Sequence, residues 1–176
     1  GGETYDTFNP ATGERLAKAP FAQERDVNRA VQEAEAAFPA WRKTPVTERV
    51  ALVRKMISVL KEKASDLALM DSVNSGNPIA NMIPDVHLAC NMLEYLCGAA
   101  MEVKGQTIPS TSANWHMTIR EPYGVVGRII PFNHPIMFSA SKIGAPLLTG
   151  NTLVLKVPDQ APLAGLLLGE LIRDIF

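Results

Sequence analysis

Two proline-flanked segments hold the side chains best suited to chemistry, Pro131-Phe132-Asn133-His134-Pro135 and Lys156-Val157-Pro158-Asp159-Gln160. Asn133 offers a neutral amide donor, His134 an imidazole, Lys156 a cation and Asp159 a carboxylate, a set suited to ribose hydroxyls and phosphates. Each segment follows an apolar run with the character of a buried strand, and in an open parallel sheet ligands gather outside the carboxyl ends of the strands. Both segments should then share one edge of a sheet. From residue types alone the reading stops at a candidate nucleotide site, because each residue also has a plainer role. Asn133 suits a turn ahead of Pro135, Lys156 a solvated strand end, and Asp159 a cap for a helix starting near Pro162.

The elements that must position these segments are visible in the patterning. Gly124-Val125-Val126-Gly127-Arg128-Ile129-Ile130 is an apolar run bounded by Pro122 and Pro131, as expected of a strand buried in a parallel sheet. His134 to Leu148 has helical composition and stops at Gly150. Thr152 to Val157 is a second buried strand, and Pro162 to Phe176 a further helix. The order strand, helix, strand, helix is a βαβα unit, whose right-handed crossover makes the strands parallel. No G-x-G-x-x-G follows the first strand, so the ordinary dinucleotide fingerprint is absent.

Upstream the chain is helical. The first twenty residues combine short extended stretches with the turn formers Asn9-Pro10-Ala11-Thr12-Gly13. Val27, Ala30, Val31, Ala34, Phe38 and Trp41 then recur at helical spacing, with Pro39 expected to disturb the pattern. Val50, Val53, Ile57, Leu60, Ala64 and Leu67 continue the period, with a break predicted at Ser65 and a stop at Gly76. Pro78 suits the first turn of a third helical region, whose stripe of Val86, Cys90, Leu93, Leu96, Cys97 and Ala100 runs to about Gly105. Trp115 to Arg120 alternates strictly, as on a strand with one covered face that needs a partner elsewhere.

Composition narrows the class. The 176 residues are 47% hydrophobic, enough for a substantial core, and 17 basic against 18 acidic side chains leave a net charge of -1 with no Lys/Arg-rich run. Nucleic acid and anionic membrane are therefore not expected partners, and a small molecule is. The start carries no secretory pattern and no apolar run is long enough to span a bilayer, so a cytoplasmic location is expected. Cys90 and Cys97 would lie about two turns and roughly 10 Å apart on one helix face, unable to bridge. They are expected to be core thiols, and no metal site is expected.

At this point the order of motifs becomes specific. Pro131-Phe132-Asn133-His134-Pro135, Lys142-Ile143, Gly150-Asn151-Thr152 and Leu155-Lys156-Val157-Pro158-Asp159-Gln160-Ala161-Pro162 resemble the aldehyde dehydrogenase superfamily. Asn9-Pro10-Ala11-Thr12-Gly13-Glu14, Ala40-Trp41-Arg42, Gly76-Asn77-Pro78 and Glu121-Pro122-Tyr123-Gly124-Val125-Val126-Gly127 are similar to its upstream landmarks, in the same order. The resemblance implies an α/β fold: N-terminal helices plus the first βαβα unit of a Rossmann-like NAD(P)-binding domain. It divides the chain into a helical part of that domain at 1–104, an oligomerisation-arm strand at 105–121, and the start of the Rossmann-like sheet at 122–176.

The same resemblance assigns roles. Asn133 matches the asparagine whose amide donates to the oxyanion formed when a thiolate attacks an aldehyde, a donor worth roughly 3 kcal/mol in comparable sites. Lys156 and Asp159 match the residues that bind the adenine ribose, with Ile130, Pro131, Phe132 and Asn133 along the cofactor path. His134, Met137, Phe138 and Ser141 would border the aldehyde tunnel, though each equally suits plain packing. Asp159 stands where NAD-preferring members usually carry glutamate, Phe132 where tryptophan is frequent, and Asn77 where lysine is frequent. A carboxylate repels a 2′-phosphate, which favours NAD, with NADP as the alternative.

The resemblance further implies oxidation of an aldehyde to a carboxylic acid, in a homodimer or homotetramer. The cysteine nucleophile, the glutamate base and a second glycine-bearing turn follow the matched region in the family, so they are expected beyond Phe176. The 176 residues alone should then be inactive. The alternatives are a non-catalytic nucleotide-binding or interaction module, and a related acylating or phosphate-releasing reductase.

Overall fold

In the computed structural model, which describes residues 2–176, the N-terminal turn signals close a hairpin. Strands β1 (Thr4–Phe8) and β2 (Arg15–Pro20) pair antiparallel, and Asn9 Oδ1 accepts the Ala11 N–H inside the turn. Helix α1 (Glu24–Trp41) follows, and it runs through Pro39 rather than being disturbed there. Pro39 lies in the last turn, where its missing N–H removes only one helical hydrogen bond. The Trp41 indole then donates to the Leu147 carbonyl at 3.2 Å, tying the helix end to the central unit.

Helices α2 (Val46–Glu62), α3 (Ala64–Ser75) and α4 (Ile79–Ala99) bury the stripes that the periodicity marks out. Val53, Met56, Ile57, Leu60, Leu67, Met82, Val86 and Leu93 are all fully enclosed, joined by Ile136 and Ile143 from the helix between the parallel strands. The break between α2 and α3 falls at Lys63, slightly ahead of the Ser65 expectation. Gly76 ends α3 in the left-handed region at φ 81°, and a Cβ there would stand 2.8 Å from Pro10 Cγ. Only glycine satisfies both conditions.

Helix α4 stops at Ala99, followed by a single 3-10 turn over Ala100–Glu102, so it falls short of Gly105. Met101 and Val103 are exposed, and nothing rewards continuing the helix past the core. The segment after it corrects the strand expected over Trp115 to Arg120. Only β4 (His116–Met117) pairs, antiparallel to β3 (Thr107–Ile108), and Trp115, Met117 and Ile119 all face solvent. The expected partner strand is present, but among the described residues no element covers either face of the ribbon.

Strands β5 (Val125–Ile129) and β6 (Thr152–Lys156) are parallel in the register Val125↔Thr152 to Ile129↔Lys156, joined by α5 (Pro135–Leu148) and followed by α6 (Leu163–Ile172). The βαβα order stands. The strands are less buried than their apolar runs suggest: no residue of β5 is fully buried and Ile129 is 84% exposed. A two-stranded sheet, with α1 and α5 against it, leaves much of its surface uncovered. Helix α6 also ends at Ile172, short of Phe176. Among the described residues no helix is long and apolar enough to cross a membrane.

Candidate functional site

Parallel pairing brings the two proline-flanked loops to one edge. The Ile130 N–H donates to the Lys156 carbonyl at 3.0 Å, so the chain leaves β5 and β6 side by side. From that edge, residues 131–134 turn into α5 and residues 157–162 turn into α6.

The first loop is held from behind by side chains of α3, α4 and the turn between them. The Asn77 side-chain amide donates to the Asn133 carbonyl at 3.0 Å. Next, His134 Nδ1 meets Asp85 Oδ2 at 2.6 Å. Because a carboxylate only accepts, Nδ1 carries the shared proton and Nε2 is the nitrogen left to face outward. Proline at position 135 then opens α5, where its lack of an N–H costs nothing. The Ile136 N–H donates to Asp71 Oδ2 at 3.0 Å.

Asp71 is completely buried and its Oδ1 has no partner among the described residues. Burial pushes its carboxyl up to about 6, an effect reinforced by the Asp85 charge and opposed by the Ile136 N–H and by His134. A neutral carboxyl at this position can still accept from Ile136, so part of the cost of burial is relieved by protonation.

The second loop is tied differently. Lys156 Nζ lies 2.6 Å from Asp159 Oδ1, with both side chains more than half exposed. The Tyr5 hydroxyl donates to the Asp159 carbonyl at 3.1 Å, bringing the N-terminal hairpin to the same edge. Burial, then the Asp159 charge, raises the Tyr5 hydroxyl pKa, so it stays a donor. Asp159 does not cap α6. The Leu163 N–H is taken by the buried Asn74 Oδ1 at 3.0 Å, a helix start filled from α3 rather than from its own loop.

Asn133, Pro131 and Phe132 are exposed at this edge, whereas Ile130 is buried beneath it. His134 packs edge-on to Phe138 with ring centroids 6.3 Å apart, and Met137 and Phe138 are half-buried. Ser141 is buried with an unpartnered hydroxyl. It lines a separate cavity of about 560 Å³ with Asn91, Met92, Tyr95, Arg128 and Lys142, which His134, Met137 and Phe138 do not line. Cys90 and Cys97 are buried, and burial raises both thiols above their ordinary range, which suits core packing and not nucleophilic attack.

Sequence reasoning missed Tyr5, Asp71, Asn74, Asn77 and Asp85. A signal existed for two of them: Asp71 and Asn74 continue the buried stripe of Leu67 and Ala68 at helical spacing, and polar residues at core positions demand partners. Nothing local marks the partners themselves.

Comparison with known proteins adds an independent line. A family model, described as the aldehyde dehydrogenase family, matches residues 1–175. The aldehyde dehydrogenase tropH of Talaromyces stipitatus is 40% identical over 174 residues, covering 97% of this chain and 34% of that protein. Among solved structures, the NAD+ complex of an aldehyde dehydrogenase from Bacillus cereus superposes with a TM-score of 0.94 at 36% identity, over 98% of this chain and 36% of the other. An NADP-dependent enzyme of E. coli superposes at 0.91 with 31% identity, over 98% and 36%. The chain thus spans about a third of the length of the relatives it matches.

Proposed function

Since this chain belongs to the aldehyde dehydrogenase family, we propose that it forms the cofactor side of an oxidoreductase that converts an aldehyde to a carboxylic acid with NAD or NADP. The observation that carries this reading is the common sheet edge: an amide donor on a braced loop beside an exposed cation and carboxylate.

The residues present fit a dinucleotide. Lys156 and Asp159 are accessible, and one carboxylate oxygen engages the lysine, so Oδ2 and the ammonium protons suit ribose hydroxyls. Pro131 and Phe132 supply exposed apolar surface next to them. When bound, NAD or NADP supplies the hydride acceptor. Asp159 at the ribose favours NAD, since a carboxylate opposes a 2′-phosphate.

Asn133 serves the carbonyl chemistry. As a thiolate adds to the aldehyde carbon, charge develops on the oxygen, and the Asn133 side-chain amide donates to it. The thiolate comes from outside these 176 residues, since Cys90 and Cys97 are enclosed in the helical core. His134, Met137, Phe138 and Ser141 remain candidates for the aldehyde side of the loop. We assign residues 105–121 to an oligomerisation arm of a homodimer or homotetramer, a role suited to a ribbon whose apolar side chains are exposed.

The enclosed cysteines favour a second reading for the 176 residues taken alone, a nucleotide-binding module without turnover. Reduced-cofactor absorbance, followed with a panel of aliphatic and aromatic aldehydes, tests both. Turnover is expected from an enzyme of family length that carries this chain and not from the 176 residues by themselves. Turnover by the 176 residues would overturn the placement of the nucleophile.

A further inference from the structure

We infer that Asp85, acting through His134, and Asn77, acting through the Asn133 carbonyl, are positioning residues that aim the Asn133 amide at the reacting oxygen. The inference rests on the reading of Asn133 as the oxyanion donor.

Asn133 sits in the short stretch between β5 and α5, outside any ladder or helical hydrogen bonding of its own backbone amide. The direction of its side chain is therefore governed by the backbone on either side. Three side-chain tethers act within a span of four residues: Asn77 on the Asn133 carbonyl, Asp85 on the His134 ring, and Asp71 on the Ile136 N–H. Asp71 and Asp85 come from α3 and α4, whose apolar stripes lie in the core, and Asn77 comes from the more exposed turn between them. Asp71 is 0% and Asp85 9% exposed, so the anchors themselves have little freedom.

The chemistry of the tethers argues for more than a helix start. One buried carboxylate on Ile136 already satisfies the helix terminus, and a neutral serine or asparagine would do so at lower cost. Placing a second carboxylate nearby adds repulsion, and one oxygen of that second carboxylate is taken up by the His134 Nδ1–H. That arrangement fixes the His134 ring and its tautomer, and with them the backbone next to Asn133. Oxyanion stabilisation depends on donors already in place before charge develops, and a misplacement of about 1 Å can cost about a hundredfold in rate. Orientation is what this costly cluster supplies.

The test is a double-mutant cycle in an enzyme of family length carrying this chain, with Asp85→Ala, Asn133→Ala and the pair. Asp85→Ala should lower kcat about ten- to a hundredfold while cofactor Kd changes less than about twofold, and it should cause no further loss once Asn133 is alanine. Equal losses in both backgrounds, or none in either, would overturn the positioning role. Asn133→Ala with unchanged kcat would instead overturn the proposed donor, a distinguishable failure. Should Asp85→Ala not fold, nitrogen NMR of His134 in the unaltered 176-residue chain decides the geometry. The expected signature is a protonated Nδ1 with Nε2 as acceptor, and the opposite tautomer sinks the inference.

Discussion

Both loops at the sheet edge lead into a helix start anchored from α3, and they differ in how the residue proposed for chemistry is held. The loop carrying Asn133 is braced by side chains from the buried helices behind it, including the fully enclosed Asp71. The loop carrying Asp159 has its own buried anchor at the far end, where Asn74 takes the Leu163 N–H, but Asp159 itself is held by an exposed ion pair and one tyrosine hydrogen bond. Exposed pairs contribute little to stability and rearrange at little cost. The difference matches the two tasks proposed. A donor to a developing charge must be fixed in advance, whereas ribose-binding groups can exchange one another for ligand hydroxyls.

That contrast can be broken in several ways. The largest effect should come from Asn133→Ala: kcat for aldehyde oxidation, measured in an enzyme of family length, falls about a hundred- to a thousandfold. Cofactor affinity, measured by fluorescence titration, stays within about twofold. A parallel loss of cofactor binding would erase the division of labour between the loops.

Next comes Asp71. Its carboxyl titrates at about 6 in the fold against an ordinary value of 3.8, so the folded state holds a proton that the unfolded chain has lost between those limits. This group therefore favours folding most at the acid end, and that contribution is lost as pH rises through about 6. Relative to wild type, Asp71→Asn, which carries no titration, should gain roughly 2 kcal/mol between pH 4 and pH 8 in urea unfolding. A pH-independent difference would show that Asp71 is no burdened anchor.

On the exposed loop, Lys156→Ala should raise cofactor Kd about tenfold and leave unfolding free energy within about 0.5 kcal/mol of wild type. A large stability loss would make the two loops alike. The smallest effect is expected for Asn77→Ala, which removes one exposed amide-to-carbonyl bond. Its cost should be about 1 kcal/mol or less in urea unfolding, accompanied by a measurable fall in kcat because the bond ends on Asn133.

What was legible in the chain followed from short-range regularities. Helical spacing located α2 to α4 because burial of a stripe repeats every three or four residues, and it located α1 although that helix is only partly covered and Val27 of its stripe is exposed. Clustered Gly and Pro marked the turns, as at Gly76, whose positive φ and close approach to Pro10 exclude a side chain. The βαβα order placed Asn133, Lys156 and Asp159 at one edge, since parallel strands must end together. The failures have equally physical causes. Alternation over Trp115 to Arg120 suggested a covered face, but alternation states only that two faces differ, and neither is covered by the described residues. Asp159 has the side chain of a helix cap, yet α6 starts four residues later at Leu163, and Asn74 takes that N–H from α3.

Periodicity, turn chemistry and the handedness of crossovers make most elements, their order, the parallel unit and the residues offered at its edge readable from the chain alone. Only the tertiary structure decided which buried groups brace that edge. Asp71 meets Ile136 across 65 positions, Asp85 meets His134 across 49, and Asn74 meets Leu163 across 89. A buried polar side chain demands a partner, but no local pattern names it, since the partner is selected by how α3 and α4 pack beneath the starts of α5 and α6.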